Sequence, residues 1–180
     1  MRHIPNILSG LRLALVGVFV WLFQQDRMME ALLVFITAFL TDLLDGYLAR
    51  RNNWITNVGK VLDPLADKLM LISALICFYL KGWIPLWLLA VVLAKELIMI
   101  IGGAVLFRKK VVVYADWFGK TAAGVFNAAV AVTLITLYVP QLGRLNLVLF
   151  CIAVVLAFIA LIHYAKLQVF HREKDPTQSK

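Results

Sequence analysis

The sequence predicts an all-α membrane protein with six transmembrane helices, and two observations support this prediction. Hydrophobic residues make up 63% of the 180-residue chain, and the mean hydropathy is +0.89, whereas an ordinary soluble domain contains only about 45–50% apolar residues. The hydrophobic residues also fall into six stretches, most of them near the ~20 residues that a helix needs to cross a bilayer. Helices are expected because a helix satisfies its own backbone hydrogen bonds, which lipid cannot do.

The six stretches follow one another with short polar connections. They cover residues 11–23, 28–47, 58–80, 84–107, 118–139 and 145–167. The first is shorter than the others unless it includes part of the interfacial segment before it. Pro64 is acceptable in the third because it falls early in the helix, where backbone donors have no intrahelical partner. We therefore expect one membrane domain over residues 1–170 and a polar cytoplasmic tail over 171–180.

The distribution of basic residues predicts which helix ends face the cytoplasm. The formal net charge is +8, and fifteen of the eighteen Lys and Arg residues, counting Lys95, belong to the side of the N-terminus. The other side holds only Arg27, Lys81 and Arg144. By the positive-inside rule the basic side is cytoplasmic, which predicts a multi-pass protein of the inner cell membrane. Because the basic residues are dispersed between hydrophobic runs, they favour membrane and phosphate partners over nucleic acid.

Four aspartates fall within twenty-six residues, where the second stretch ends and the third begins. Asp42 and Asp45 are three residues apart, and Asp63 and Asp67 four, so on helices each pair projects from one face. A charge near lipid costs about 2.5–3.5 kcal/mol at a helix centre and usually marks a functional site. Four adjacent carboxylates would repel one another and take up protons. Two divalent cations would neutralise them, and Mg²⁺ or Mn²⁺ suit all-oxygen ligands.

Small residues beside the aspartates leave room for a ligand. Gly46, Ala49 and Gly59 would let a flat base and its diphosphate approach the backbone closely. Arg50, one turn beyond Gly46, is placed to neutralise a phosphate; a cytosolic anchor charge is the alternative for Arg50 taken alone. A carboxylate-held metal pair next to a phosphate is the arrangement used for in-line displacement at phosphorus.

Together these residues resemble the signature of the CDP-alcohol phosphotransferases, Asp-x2-Asp-Gly-x2-Ala-Arg-x8-Gly-x3-Asp-x3-Asp. All eight specified positions match between Asp42 and Asp67. Members of this family are membrane enzymes that displace CMP from a CDP-linked lipid or alcohol by attack of an acceptor hydroxyl. The resemblance implies that the four aspartates bind two divalent cations and that Asp67 is also the general base. The residues implied to contact CDP are Thr41, Gly46, Ala49, Arg50 and Gly59.

Four polar residues outside the signature are candidates for binding substrate phosphates. The family has an Asn and an Arg near the phosphates, which implies this role for Asn6 and Arg12; a helix cap and an interfacial anchor are the alternative. Lys120 lies near the start of the fifth stretch, where it suits an acceptor phosphate, and Arg108 is a second candidate for the same role. The alternatives are a snorkelling anchor for Lys120 and a topology signal for Arg108.

Within this family the chain resembles the compact bacterial phosphatidylglycerophosphate synthases. That implies a CDP-diacylglycerol-dependent phosphatidyltransferase that acts on sn-glycerol 3-phosphate and releases CMP. The segment 95–121 departs from their usual pattern, so a cardiolipin synthase that uses phosphatidylglycerol stays open. A divalent-cation transporter would explain intramembrane carboxylates but not the glycines and Arg50 of the signature.

Family analogy implies a homodimer. Lys95 and Glu96 are expected to pair, either to fix helix packing or to contact a ligand.

Overall fold

The computed structural model describes residues 4–52, 59–108 and 117–174, with side chains over 10–43, 65–101 and 121–163. The regular structure in these residues is helical throughout. The helices are α1 (Ile4–Gln24), α2 (Met28–Asn52), α3 (Gly59–Leu80), α4 (Leu86–Arg108), α5 (Trp117–Thr136) and α6 (Leu145–Lys174), with a 3-10 turn at Pro140–Leu142. The prediction of an all-α fold with six helices is confirmed.

Three helices extend beyond the hydrophobic stretches of the sequence. Helix α1 begins at Ile4, ahead of the apolar run that starts at residue 11, and is therefore 21 residues long. Helix α2 continues to Asn52, and α6 continues to Lys174, into the segment expected to be a polar tail. The hydrophobic pattern underestimates these lengths because backbone hydrogen bonds continue through polar residues at the ends of a helix.

One segment of α6, Leu145–His163, is long and apolar enough to cross a membrane, judged by length and composition over the described residues. Gly10–Gln24 and Thr121–Thr136 form shorter apolar helical segments. The crossing of the membrane by all six helices therefore stays a prediction. Large hydrophobic side chains are exposed on α1, α2, α3, α4 and α6, among them Trp21, Leu33, Leu69, Leu97 and Val155.

Packing of the helices separates an aromatic end of the bundle from a polar end. Helix α1 packs along both α2 and α3, and α5 packs along α6; contacts of α2 and α3 with α5 join the two groups. Near the α1–α2 turn, the ring centroid of Phe23 lies 5.9 Å from that of Phe78 and 5.4 Å from that of Trp83. These rings fill one end of the bundle, so the polar residues late in α2 and early in α3 are gathered at the other end.

Candidate active site

Three helices meet at one buried guanidinium group. Arg12 lies on α1, and its side chain is only 1% exposed. Its Nη1 atom donates a hydrogen bond to Oδ1 of Asp67 on α3 at 2.8 Å, and it lies 2.8 Å from Oδ1 of Asp42 on α2. The side chain of Asp42 is 31% exposed and that of Asp67 is 47% exposed. The positive charge is therefore buried, while both carboxylates remain accessible from outside the protein.

Small residues next to the aspartates allow this convergence. Ala38, one helical turn before Asp42, is 2% exposed, and Ala66, directly before Asp67, is fully buried. Small side chains at a helix contact let the two backbones approach closely. The short aspartate side chains on α2 and α3 can then reach the same arginine on α1.

Thr41 is predicted to contact the CDP group, and its hydroxyl proton is already used within α2. Its Oγ1 donates to the backbone oxygen of Thr37, and Oγ1 of Thr37 donates to the backbone oxygen of Leu33 at 2.7 Å. Both are bonds to the residue four positions earlier, a common arrangement for threonine in a helix. The Thr41 oxygen is left to accept a hydrogen bond from a ligand.

The helical premise of the aspartate spacing is correct. Helix α2 is continuous from Met28 to Asn52 and α3 from Gly59 to Leu80. Asp45 therefore follows Asp42 at a helical spacing of three residues, and Asp63 precedes Asp67 at a spacing of four. Those spacings put two positions on one helix face.

Nine of the predicted site residues lie on described helices, but their side chains lie outside the described part of the chain. They are Asn6, Asp45, Gly46, Ala49, Arg50, Gly59, Asp63, Arg108 and Lys120. Their contacts and roles stay predictions. The structure therefore brings together three of the predicted site residues, namely Arg12, Asp42 and Asp67.

The donor set of the described site suits a hard divalent cation. Asp42 and Asp67 offer carboxylate oxygens that converge on one positive charge, the guanidinium of Arg12. Oxygen ligands of this kind are those that Mg²⁺ and Mn²⁺ prefer. Within the described side chains, no group of three or more His, Cys, Asp or Glu residues forms a metal site. The other two predicted ligands, Asp45 and Asp63, fall outside that range.

A second charged cluster lies beside the site, and sequence reasoning identified only part of it. The Nζ atom of Lys68 on α3 is 2.7 Å from Oε2 of Glu96 on α4, and Lys95 forms an ion pair with the other oxygen of Glu96. The Glu96 side chain is only 7% exposed. The Nζ atom of Lys95 also lies 5.2 Å from the ring centroid of Phe126 on α5, within range of a cation–π contact. The cluster thus connects α3, α4 and α5.

The sequence predicts the Lys95–Glu96 pair but gives no direct sign of Lys68. Lys68 lies on α3 and Glu96 on α4, so no local spacing connects them. One signal was present: Lys68 directly follows Asp67 on an apolar helix, where an isolated positive charge is costly and needs an acidic partner. Because Lys68 and Asp67 are adjacent, the cluster fixes α3 next to the residue predicted to be the general base.

Comparison with known proteins gives one consistent family. A sequence model of the CDP-alcohol phosphatidyltransferase family matches residues 2–164. The chain is 30% identical over 166 residues to a CDP-diacylglycerol–glycerol-3-phosphate 3-phosphatidyltransferase of Aquifex aeolicus, covering 90% of this chain and 93% of that protein. A probable phosphatidylglycerophosphate synthase of Mycobacterium tuberculosis is 36% identical over 152 residues, covering 81% of this chain and 70% of that protein.

A cardiolipin synthase (CMP-forming) of Streptomyces coelicolor shows a higher identity over a shorter stretch. It is 42% identical over 113 residues, which cover 58% of this chain and 52% of that protein. The match thus spans only about half the length of the Streptomyces relative. The Aquifex relative is named for glycerol 3-phosphate, whereas the Streptomyces relative is named for cardiolipin.

Proposed function

Because the chain belongs to the CDP-alcohol phosphatidyltransferase family, we propose that it transfers a phosphatidyl group from CDP-diacylglycerol to sn-glycerol 3-phosphate and releases CMP. The single observation that carries the proposal is the convergence of Asp42 and Asp67 on the buried Arg12. It supports the idea that the two halves of the signature, on α2 and α3, form one site. The match over 93% of the Aquifex aeolicus relative supports the choice of acceptor.

In this proposal the aspartates hold two divalent cations, Mg²⁺ or Mn²⁺. Asp42, Asp45 and Asp63 would be ligands, and Asp67 would be both a ligand and the general base. When bound, the cations would neutralise the diphosphate and polarise the phosphoryl group under attack. The partial exposure of Asp42 and Asp67 supports this role, because a ligand can reach both carboxylates.

The reaction needs one proton acceptor and one leaving group. Asp67 takes the proton of the acceptor hydroxyl, and the freed oxygen forms a bond to the phosphatidyl phosphorus. The bond from that phosphorus to the CMP oxygen breaks, and CMP leaves with the negative charge. Arg12 holds Oδ1 of Asp67 and Oδ1 of Asp42 at 2.8 Å, so it positions the base relative to the opposite half of the site.

Substrate binding is divided between two groups of residues in the proposal. The CDP group would contact Thr41, Gly46, Ala49, Arg50 and Gly59. The acceptor phosphate would be bound from α4 and α5, where Arg108 is the last residue of one helix and Lys120 lies in the first turn of the next. Backbone N–H groups at the start of a helix favour an anion, which adds to the charge of Lys120. Asn6 and Arg12 complete the phosphate-binding set.

We place the six helices across the inner membrane, with the site at the cytoplasmic face. Exposed large hydrophobic side chains on five of the helices support this placement, since a soluble surface rarely carries apolar patches of such extent. The positive-inside count of the sequence supports the orientation. A homodimer is part of the proposal by family analogy.

The test is product identification with purified protein in detergent. The protein receives CDP-diacylglycerol, Mn²⁺ and labelled glycerol 3-phosphate, and the expected products are phosphatidylglycerol phosphate and CMP in equal amounts. Inositol and serine lack the phosphate and should be used poorly. An Asp67→Asn preparation controls for contaminating activity. No CMP release with any acceptor would overturn the proposal.

A second candidate function follows from the Streptomyces coelicolor match. In that case the acceptor is phosphatidylglycerol, and the labelled product is cardiolipin. A phosphodiester acceptor carries one negative charge and lies at a different depth from a soluble phosphomonoester. Offering phosphatidylglycerol and glycerol 3-phosphate in the same panel therefore decides between the two candidates.

A further inference from the structure

A cavity of about 260 Å³ lies at the end of the bundle opposite Asp42 and Asp67. It is formed where α5 ends and α6 begins, and Trp83, which contacts Phe23 near the α1–α2 turn, forms one of its walls. The cavity is larger than the space that a single water molecule needs. None of the residues assigned to the active site lines it.

The α6 side of the cavity suits an anion. Arg144 lines it directly before α6 begins at Leu145, and the first N–H groups of a helix have no intrahelical partner and carry a positive dipole end. Asn146 also lines the cavity and is 8% exposed. Its side-chain amide has two N–H donors, which can bond to the oxygens of a bound anion.

The α5 side of the cavity offers hydrogen-bond acceptors instead. Oγ1 of Thr133 donates to the backbone oxygen of Ala129 at 2.7 Å, and Oγ1 of Thr136 donates to the backbone oxygen of Thr133 at 2.7 Å. Both hydroxyl protons are therefore used within α5. Toward the cavity these oxygens can only accept, so the matching part of a ligand carries hydroxyl donors.

We propose that this cavity binds the headgroup of an anionic phospholipid that carries free hydroxyl groups, as phosphatidylglycerol does. The phosphodiester would lie against Arg144, the Asn146 amide and the start of α6, and the headgroup hydroxyls would donate to Thr133 and Thr136. One arginine balances the single charge of a phosphodiester but not the nearly two charges of a phosphomonoester. The inference rests on the proposed membrane placement, and it does not depend on which acceptor the enzyme uses.

The binding test uses native mass spectrometry of the full chain released from detergent micelles. Phosphatidylglycerol is titrated against wild-type protein and against Arg144→Gln and Asn146→Leu. The matched control is Arg27→Gln, since Arg27 belongs to the same end of the bundle but pairs with Glu30 outside the cavity. We expect the affinity to fall roughly tenfold in the two cavity variants, through loss of charge-assisted and buried hydrogen bonds, and to be unchanged in the control.

Three ligands distinguish the possible sources of the anion. Phosphatidylcholine has no net charge, phosphatidylethanol has the charge but no hydroxyl, and inorganic phosphate has no lipid. Wild-type protein should prefer phosphatidylglycerol to all three, and Thr136→Val, which keeps the side-chain volume, should remove its preference over phosphatidylethanol. The proposal is overturned if inorganic phosphate displaces the lipid at equal concentration, or if Asn146→Leu and Arg27→Gln bind phosphatidylglycerol equally.

The CMP-release assay on the same preparations separates this inference from the proposed function. All cavity variants should retain CMP release, because their residues lie at the other end of the bundle. If wild-type protein released no CMP and yet showed the variant-dependent lipid binding, the proposed function would fail and the lipid site would stand.

Discussion

An ion pair joins α1 and α3 at each end of their contact, but the charge is buried at one end and exposed at the other. At one end Arg12 reaches Asp67, and at the other Lys81 reaches Asp26, with Nζ 2.5 Å from Oδ1. Both pairs join residues 55 positions apart, as expected for two helices that run in the same direction in a fixed register. Arg12 is 1% exposed, whereas the side chains of Lys81 and Asp26 are 38% and 69% exposed.

The two ion pairs have the same sequence spacing and similar interatomic distances. They differ in the burial of the charge, which is nearly complete for Arg12 and only partial for Lys81. An exposed ion pair contributes about 0–1 kcal/mol, because water and salt screen it. A buried charge costs several kcal/mol to desolvate and is tolerated only with good partners. If α1–α3 span the membrane as proposed, such a charge next to two accessible carboxylates favours a functional site over a packing contact.

The largest expected effect is on turnover, from removing Asp67, the proposed general base. Asp67→Asn should lower kcat by roughly 10²–10⁴-fold while CDP-diacylglycerol still binds, because an amide cannot accept the proton of the acceptor. Asp26→Asn makes the same change at the turn end and should leave kcat unchanged. Asp42→Asn should weaken nucleotide binding as well. CMP release and a CDP titration measure both effects; equal loss of CDP affinity in Asp67→Asn and Asp42→Asn would contradict the base assignment.

The second largest expected effect is on the free energy of unfolding, from loss of the buried guanidinium of Arg12. Arg12→Gln leaves two carboxylates facing each other without the cation, and we expect the free energy of unfolding to fall by about 3 kcal/mol. This is the low end for a buried pair, because both aspartates are partly exposed. Arg12→Lys should recover part of the loss. Unfolding in mixed micelles, followed by circular dichroism in the presence of EDTA, provides the measurement; a change under 1 kcal/mol in Arg12→Gln would remove the contrast between the two ends.

Removal of the acid from the second cluster should have an intermediate effect. Glu96→Gln keeps hydrogen-bonding capacity but leaves Lys68 and Lys95 as two positive charges without their shared partner, at a cost of about 1–3 kcal/mol. Lys95→Met retains the Lys68–Glu96 pair and should cost less than Glu96→Gln. The same unfolding experiment compares the two variants, and the reverse order would show that Lys95, rather than Glu96, is the centre of the cluster.

The smallest effect is expected at the turn end. Lys81→Met should change the free energy of unfolding by less than about 1 kcal/mol, because its pair with Asp26 is exposed and screened. Raising the salt concentration should shrink the difference from wild type further. A loss as large as that of Arg12→Gln would mean that the register of α1 against α3, and not burial, determines the cost.

The sequence predicted the interactions that are local in the chain better than those between distant residues. The pairs Asp42–Asp45 and Asp63–Asp67 lie within single helices, so their spacing alone predicts their shared faces. The convergence of α2 and α3 was assumed in the two-metal prediction, and the family resemblance supported it. Arg12 was assigned to substrate phosphates, and its contact with both carboxylates depends on the α1–α3 register, which no local pattern encodes.

The features that the sequence did not predict are contacts between distant helices. Lys68 pairs with Glu96 across α3 and α4, and the cavity beside Asn146 exists only because the end of α5 and the start of α6 meet there. The hydrophobic pattern also underestimated one helix end, since α6 continues to Lys174, beyond the apolar stretch that ends near residue 167. Hydrophobicity predicts the number and order of the helices but not their mutual register.

The central claim is that the aspartates of α2 and α3 form a single metal-dependent site for phosphatidyl transfer. The most direct test is CMP release from CDP-diacylglycerol and glycerol 3-phosphate by wild-type protein in excess EDTA, followed by addition of Mg²⁺ or Mn²⁺. We expect no detectable release in EDTA and full recovery with the added cation, because the carboxylates depend on bound cations to hold the diphosphate. Full activity in excess EDTA would contradict the account.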